Sequence, residues 1–291
     1  MNMLEIKKLA DCTIEEGVEA WNKGFEGYYF DMATTPEAFG KRGEQEGLSA
    51  NLSVVAFENG KPVGIVRNGL REIGGKKVAW NGGTGVSPAL RGQGAGKKLM
   101  EATLSLLEEA GADIATLEAV SENTPAIELY KKMGYGIVDE VHFMQLKGKA
   151  GGQGFPGDNG IELKEAAPEE AGRLPFYRGD FTWQTHWQSA KDGEAWIAYL
   201  PDGEAAGYAY YLKSFDSDGK HLATVLHQCV ADREPEKTTQ ALLAGVFGDL
   251  SDDINRIAIN VPEELNKTTF EALAGLGFQS TTKQVFMKKE L

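Results

Sequence analysis

The feature that most constrains this chain is that it repeats itself. Asn59-Gly60-Lys61-Pro62-Val63-Gly64 reads as a hairpin turn between two strands, and Asp202-Gly203-Glu204-Ala205-Ala206-Gly207 reads the same way 143 residues later. The same offset carries Ile114-Ala115 onto Ile257-Ala258, Asn123 onto Asn266, Glu128 onto Glu271, Gly134 onto Gly277 and Phe143-Met144 onto Phe286-Met287. A single offset held without a gap over about 85 residues marks two copies of one structural unit. The copies also begin alike, at an offset of 157: Leu4-Glu5-Ile6-Lys7 resembles Ile161-Glu162-Leu163-Lys164. The first copy is therefore 14 residues longer between Lys7 and Gly60. Residues 147–160, KGKAGGQGFPGDNG, hold six glycines and have the composition of a linker. The expected domains are 1–147 and 161–291, joined by a linker over 148–160.

Periodicity orders the first copy. Thr13–Trp21 reads as a helix, with Thr13 as N-cap and Glu16 completing a capping box. Leu52–Phe57 and Gly64–Arg71 read as strands around the Gly60 turn. Lys77–Val86 reads as a third strand, rich in glycine at Gly82, Gly83 and Gly85. Gly94–Ala110 is an amphipathic helix closed by Gly111, and Ile114–Val120 a strand. Pro125–Met133 is a helix with Pro125 in its first turn and Gly134 as its stop, and Tyr135–Leu146 is the last strand. This order predicts an α/β fold with a mixed sheet and helices on both faces.

Charge and cysteine content narrow the function. The 291 residues carry 30 Lys+Arg against 43 Asp+Glu, a net charge of −13. Such a chain repels phosphate backbones, which disfavours nucleic acid as a partner, and it draws cations toward its surface. No apolar run reaches the roughly 18 residues of a membrane span. MNMLEIKKLADCTIEE lacks the apolar stretch of a secretory signal, so the expectation is a cytoplasmic protein. Cys12 and Cys229 are the only cysteines and the four histidines stand singly, so neither a disulfide framework nor a metal site is expected.

The informative segment is Val86-Ser87-Pro88-Ala89-Leu90-Arg91-Gly92-Gln93-Gly94-Ala95-Gly96-Lys97, which joins a strand to a helix. Glycines at alternate positions leave backbone amides open where the helix begins, an arrangement suited to a pyrophosphate. Two familiar phosphate loops fail here. A P-loop needs glycine where Arg91 sits and Ser or Thr where Lys98 sits. A Rossmann loop starting at Gly92 needs its last glycine where Lys97 sits.

Arg91-x-x-Gly94-x-Gly96 resembles the acyl-coenzyme-A signature of the GNAT superfamily of N-acetyltransferases. Leu117-Glu118, followed by Asn123-x-x-Ala126-x-x-Leu129-Tyr130-x-x-x-Gly134-Tyr135, resembles the second half of that family's core. The resemblance covers about residues 50–147 and reaches the rest of the chain through the repeat. It implies two GNAT-like domains, each a mostly antiparallel central sheet with helices on both faces, splayed at a β-bulge where acetyl-CoA inserts. The second copy departs at the signature. Arg91, Gly92, Gly94 and Gly96 become Glu234, Pro235, Lys237 and Thr239, while Glu118 and Tyr130 become Val261 and Leu273. A carboxylate, a proline and β-carbons then occupy the cradle, so the second copy reads as a degenerate domain that shapes the protein without a site of its own.

The resemblance implies transfer of an acetyl group to a primary amine, with acetyl-CoA as cosubstrate. A free amine near ~10.4 is protonated at neutral pH and a thiol near ~8.5 is the leaving group, so a base and an acid are needed. Tyr130 is the expected acid, although Ala126, Leu129, Tyr130 and Met133 also form a core stripe. Glu118 is the expected base, with Glu122 as rival. The Val86 backbone N–H, at a bulge that Gly85 permits, is the expected donor to the acyl oxygen. Arg91, Gly92, Gln93, Gly94, Ala95, Gly96 and Lys97 are expected around the coenzyme phosphates, with Asn123 on its arm or as a helix cap. Residues 21–30 hold five aromatics, and from these Trp21, Phe25 and Tyr28, with Trp80 and Asn81, are expected on the acceptor side. Aromatic faces attract ammonium groups, though core packing explains the same pattern. The competing reading is a non-catalytic acyl-CoA-binding sensor or regulatory module, which needs the cradle but neither Tyr130 nor Glu118.

Overall fold

The computed structural model describes residues 4–149, 155, 160–248 and 250–291. Two compact units emerge: Met1–Val138 with Phe286–Leu291, and Asp139–Val285.

Unit 1 begins with β1 (Leu4–Lys8), α1 (Ile14–Gly24) and α2 (Pro36–Glu46). The hairpin strands β2 (Leu48–Glu58) and β3 (Lys61–Ile73) follow, then β4 (Lys76–Val86), α3 (Ala95–Glu109), β5 (Ile114–Val120) and α4 (Thr124–Lys132). The capping box is formed: Glu16 N–H donates to Thr13 Oγ1 at 3.2 Å, and Thr13 N–H to Glu16 Oε2 at 2.8 Å. Strands β1 to β4 pair antiparallel in sequence order, and β4 pairs parallel with β5. Val54, Val55, Ala56 and Phe57 are all buried. Consecutive buried residues on one strand mean that both faces of the sheet are covered. Val18 and Trp21 of α1 and Phe25 just past its end pack with Phe39 of α2 on Val55, Phe57 and Ile65. Each such side chain contributes roughly 1.5–3 kcal/mol by leaving water.

Two elements of unit 1 go beyond the sequence reading. β1 forms from the Leu4–Lys7 match, and α2 occupies much of the stretch in which the first copy is longer. Thr35 caps α2, accepting from Ala38 N–H at 3.3 Å, with Pro36 in its first turn and Gly47 (φ +66°) as its stop.

The chain enters unit 2 along β6 (Gly136–Lys147). The elements are then β7 (Glu162–Ala166), the single turn α5 (Pro168–Ala171), β8 (Glu194–Tyr199), β9 (Ala205–Phe215), β10 (His221–Ala231), α6 (Pro235–Phe247), β11 (Asn255–Pro262), α7 (Lys267–Gly275) and β12 (Gln279–Glu290). Strand order is β6-β11-β10-β9-β8-β7, with β10 and β11 parallel and the rest antiparallel. This repeats the antiparallel meander and single parallel pair of unit 1, as the 143-residue offset implies. The α6 residues Leu242, Leu243 and Val246 anchor its core with Leu226, Ala258 and Leu273.

Most of the linker expected at 148–160 lies outside the described residues. The compact units also divide differently from the sequence reading. Residues 139–147 of β6 belong to unit 2 and pair with β11. Residues 286–291 belong to unit 1, where β12 neighbours β5 and Leu291 N–H donates to Asp113 O at 3.0 Å. Among the described residues no helix is long and apolar enough to cross a membrane.

Candidate active site

The site is created by a failure of pairing. β4 and β5 run in register from Val78↔Ile114 to Asn81↔Leu117, and their pairing ends there. On its other side β4 stays paired with β3 up to Gly64↔Val86, but with a register shift: Asn68 faces Asn81 while Arg67 faces Gly83. The extra residue is Gly82, so the bulge falls at Gly82 and not at Gly85 as expected. Neither neighbouring glycine tolerates a side chain. A Cβ at Gly83 would lie 2.7 Å from Trp21, and one at Gly85 would lie 2.9 Å from Phe25.

Ladder geometry fixes where the amides of β4 point. Ser87 N–H donates to Val63 O at 2.8 Å. Amide direction alternates along a strand, so the intervening Val86 N–H turns away from β3 toward the side on which β5 has departed. Asn81 holds the bulge closed. Its Oδ1 accepts from Gly83 N–H at 3.0 Å and its Nδ2 donates to Thr84 Oγ1 at 2.8 Å.

Glu118 lies on β5 one residue past the last paired position. Trp80 Nε1 donates to its Oε2 at 2.7 Å. Its other oxygen, Oε1, is shut off from solvent and, among the described residues, has no hydrogen-bond partner. Burial pushes the carboxyl up from 4.5 to about 7; the nearby charge of Glu46 adds to this and the Trp80 hydrogen bond opposes it. Tyr130 extends from α4, is 7% exposed and stands with its ring 6.1 Å from that of Tyr135. Burial pushes its phenol up to about 12, against the effect of a hydrogen bond with Thr84. Thr84 therefore links the bulge to Tyr130. Sequence reasoning passed over Thr84, and its only signal was a polar residue between Gly83 and Gly85.

The glycine turn divides into two roles. Gly92 (φ +74°) and Gly94 (φ +85°) adopt backbone conformations that side chains rarely take, and nothing lies within 4 Å of a Cβ at either. Gly94 is also the N-cap of α3 and has no side chain to offer its first-turn amides. The space ahead of Ala95, Gly96 and Lys97 thus combines open donors with the positive end of a helix. Gly96 acts by packing, since a Cβ there would meet Leu129 of α4 at 3.1 Å. This cradle fits the pyrophosphate of a coenzyme A. In unit 2 the same position fails the test. Glu234 is the N-cap of α6, Pro235 follows, and the Glu234 carboxylate pairs with Lys237 at 3.2 Å.

The other expected residues divide between this centre and the structure that supports it. The Arg91 guanidinium donates to three carbonyls, Val86 O at 2.9 Å, Gly24 O at 3.1 Å and Glu26 O at 2.7 Å, and so ties the end of α1 to the turn. Gln93 bonds Ala89 O at 2.6 Å, and Lys97 faces Glu101 at 3.4 Å on the exposed side of α3. Asn123 caps α4, accepting from Ala126 N–H at 3.4 Å, and shares a hydrogen bond with Tyr28. Tyr29 adds a bond to Glu122 O at 3.1 Å, so the segment after α1 closes over the β5–α4 turn. Trp21 and Phe25 are buried, 4.3 Å apart at their ring centres, and belong to the core beneath β4. Of the five expected on the acceptor side, Tyr28, Trp80 and Asn81 touch the groups described above, with Trp80 directly on Glu118.

Residues 14–135 match the model of the acetyltransferase (GNAT) family. Over 119 residues the chain is 30% identical to an uncharacterized N-acetyltransferase of Methanocaldococcus jannaschii, a match that takes in 39% of this chain and 50% of that protein. The chain thus spans about half the length of the curated relative it matches. Among solved structures it resembles a tandem GNAT protein from the clavulanic acid biosynthesis pathway, solved without AcCoA. The TM-score is 0.62 at 17% identity, covering 99% of this chain and 98% of that one. A GCN5-related N-acetyltransferase from Sphaerobacter thermophilus gives 0.61 at 16% identity, over 99% and 95%. At such identities these structures speak for the fold alone. Residues 14–135 thus match the GNAT family of acetyltransferases, and the chain takes a tandem GNAT fold over its length.

Proposed function

We propose that unit 1 transfers an acetyl group from acetyl-CoA to a primary amine on a small molecule or peptide. The observation that carries this reading is the unpaired edge of β4 beyond Asn81, with Glu118 beside it and the uncapped start of α3 at its end. When bound, acetyl-CoA supplies an activated thioester carbonyl. The amides of Gly94, Ala95, Gly96 and Lys97 hold its pyrophosphate, and the Val86 N–H donates to the acyl oxygen.

Glu118 is the base. A carboxylate poised at about 7 is deprotonated in a large fraction of molecules at neutral pH and is a stronger base than an ordinary glutamate, suited to take the proton that the amine sheds as it attacks the carbonyl. Tyr130 works on the leaving side. A phenol held at about 12 keeps its proton throughout the neutral range. Against a thiol of ordinary value, ~8.5, full proton transfer is uphill. Tyr130 therefore acts chiefly by donating a hydrogen bond to the sulfur as negative charge builds on it. A cationic acceptor suits the net charge of −13.

The test is thiol release from acetyl-CoA against a panel of amines: polyamines, aminoglycosides, amino acids and peptides with free N-termini. At least one should give turnover that Tyr130→Phe lowers by about 10²–10³-fold. CoA binding with no turnover on any amine would favour the sensor instead.

A further inference from the structure

Unit 1 contains a second concavity that shares none of the residues assigned above to the coenzyme, the acceptor or the chemistry. It is a cleft of about 410 Å³ between α1, α2 and β2, open at one side. Its walls combine the apolar side chains of Leu9, Ile14, Phe39 and Leu48 with the polar ones of Thr13, Ser49 and Ser53. At its base β2 bulges, with the register against β3 shifting between Ser49 and Val54. Ser53 Oγ seals the gap, donating to Ser49 O at 2.6 Å and accepting from Asn68 N–H at 2.9 Å.

One cation lines this cleft. Arg67 of β3 is 5% exposed, stacks on the Phe39 ring at 3.8 Å and donates from Nη1 to Phe39 O at 3.1 Å. Among the described residues it has no ion pair, and its Nε is a buried donor with no acceptor. Glu46 is engaged by Arg42 at 2.7 Å, and Glu44, the one carboxylate on the lining, is exposed on α2. The edge of the guanidinium that carries Nε and Nη2 is the edge that grips a carboxylate with two parallel hydrogen bonds. Gly43 gives Nη2 its room, since a Cβ there would stand 2.7 Å from it. Burial draws the guanidinium down only to about 10, so it stays charged at neutral pH.

A buried cation whose carboxylate-binding edge is unmatched, beside an apolar cleft, has a ligand-shaped complement. We propose that this cleft is a second binding site, for a small organic carboxylate with an apolar body, whose carboxylate pairs with Arg67. The four apolar side chains and the single cation argue for this class over a phosphate, which gathers several donors.

The full chain is titrated by calorimetry with benzoate, with benzamide as its uncharged equal in shape, and with inorganic phosphate. Benzoate should bind saturably, with benzamide and phosphate at least tenfold weaker. Arg67→Gln should weaken benzoate at least tenfold. Gly40→Leu supplies a second test should Arg67→Gln fail to fold. Gly40 lines the cleft on α2 with nothing within 4 Å of its Cβ position. Leucine there fills the cleft and leaves Arg67 in place, and should also abolish binding. The proposal is overturned if benzoate does not bind, if benzamide or phosphate binds as well, or if benzoate binds both variants as it binds the wild type.

Discussion

Glu118 keeps a proton that an ordinary glutamate would have lost, and this has consequences for stability and for rate. Its carboxyl titrates at about 7 in the folded chain against 4.5 in a solvated one. Between those values the folded state binds more protons than the unfolded state, so stability falls as pH rises from about 4.5 to about 7 and then levels off. The shift corresponds to roughly 3 kcal/mol at most. Glu118→Gln preserves the shape and an oxygen for Trp80 but carries no charge. Urea denaturation should show it gaining on the wild type over that window, with a constant gap above it. A gap independent of pH would mean the carboxyl is not held as described. In turnover the same variant should be impaired most at neutral pH and recover as pH approaches the acceptor's own value, where the amine is already neutral. Equal impairment at every pH would make Glu118 a positioning residue. The two residues proposed for the chemistry were picked out in the sequence because Glu118 and Tyr130 stand in a matched motif. Thr84 was not, because one threonine among glycines carries no spacing signal.

At the scale of elements, the site depends on how closely α1 approaches β4. Gly24 and Gly85 bring the two backbones into direct contact: a Cβ at Gly24 would lie 2.7 Å from the Gly85 carbonyl carbon. Gly24→Ala should therefore cost about 1–3 kcal/mol through overpacking. Gly40→Ala, in the open part of α2, should instead stabilise by about 0.4–1 kcal/mol by restricting the unfolded chain. Thermal denaturation of the two variants checks both signs, and two changes of the same sign would contradict this view of the contact. α2 escaped the sequence reading because Gly40 and Gly43 dilute its helical pattern, although Thr35, Pro36 and Gly47 mark its ends. The bulge was expected in the right strand but at the wrong glycine. Gly82, Gly83 and Gly85 are equally permissive in isolation, and only the register with β3 selects Gly82.

For the molecule as a whole, the repeat was plain in the sequence because its offset survives from the hairpin turns to the last strands. The division of those strands was not. Phe143-Met144 and Phe286-Met287 carry the same pattern, so sequence alone cannot tell which compact unit each strand completes. The departure of the second copy at its helix start was legible, because Glu234, Pro235, Lys237 and Thr239 replace Arg91, Gly92, Gly94 and Gly96. We propose on this basis that each chain holds a single coenzyme site, at the start of α3. Calorimetric titration of the full chain with CoA tests it most directly. The expected result is one site per chain in the wild type and none in Gly94→Glu, which sets a carboxylate before the first-turn amides. Two sites of similar affinity, or an unchanged affinity in Gly94→Glu, would contradict it.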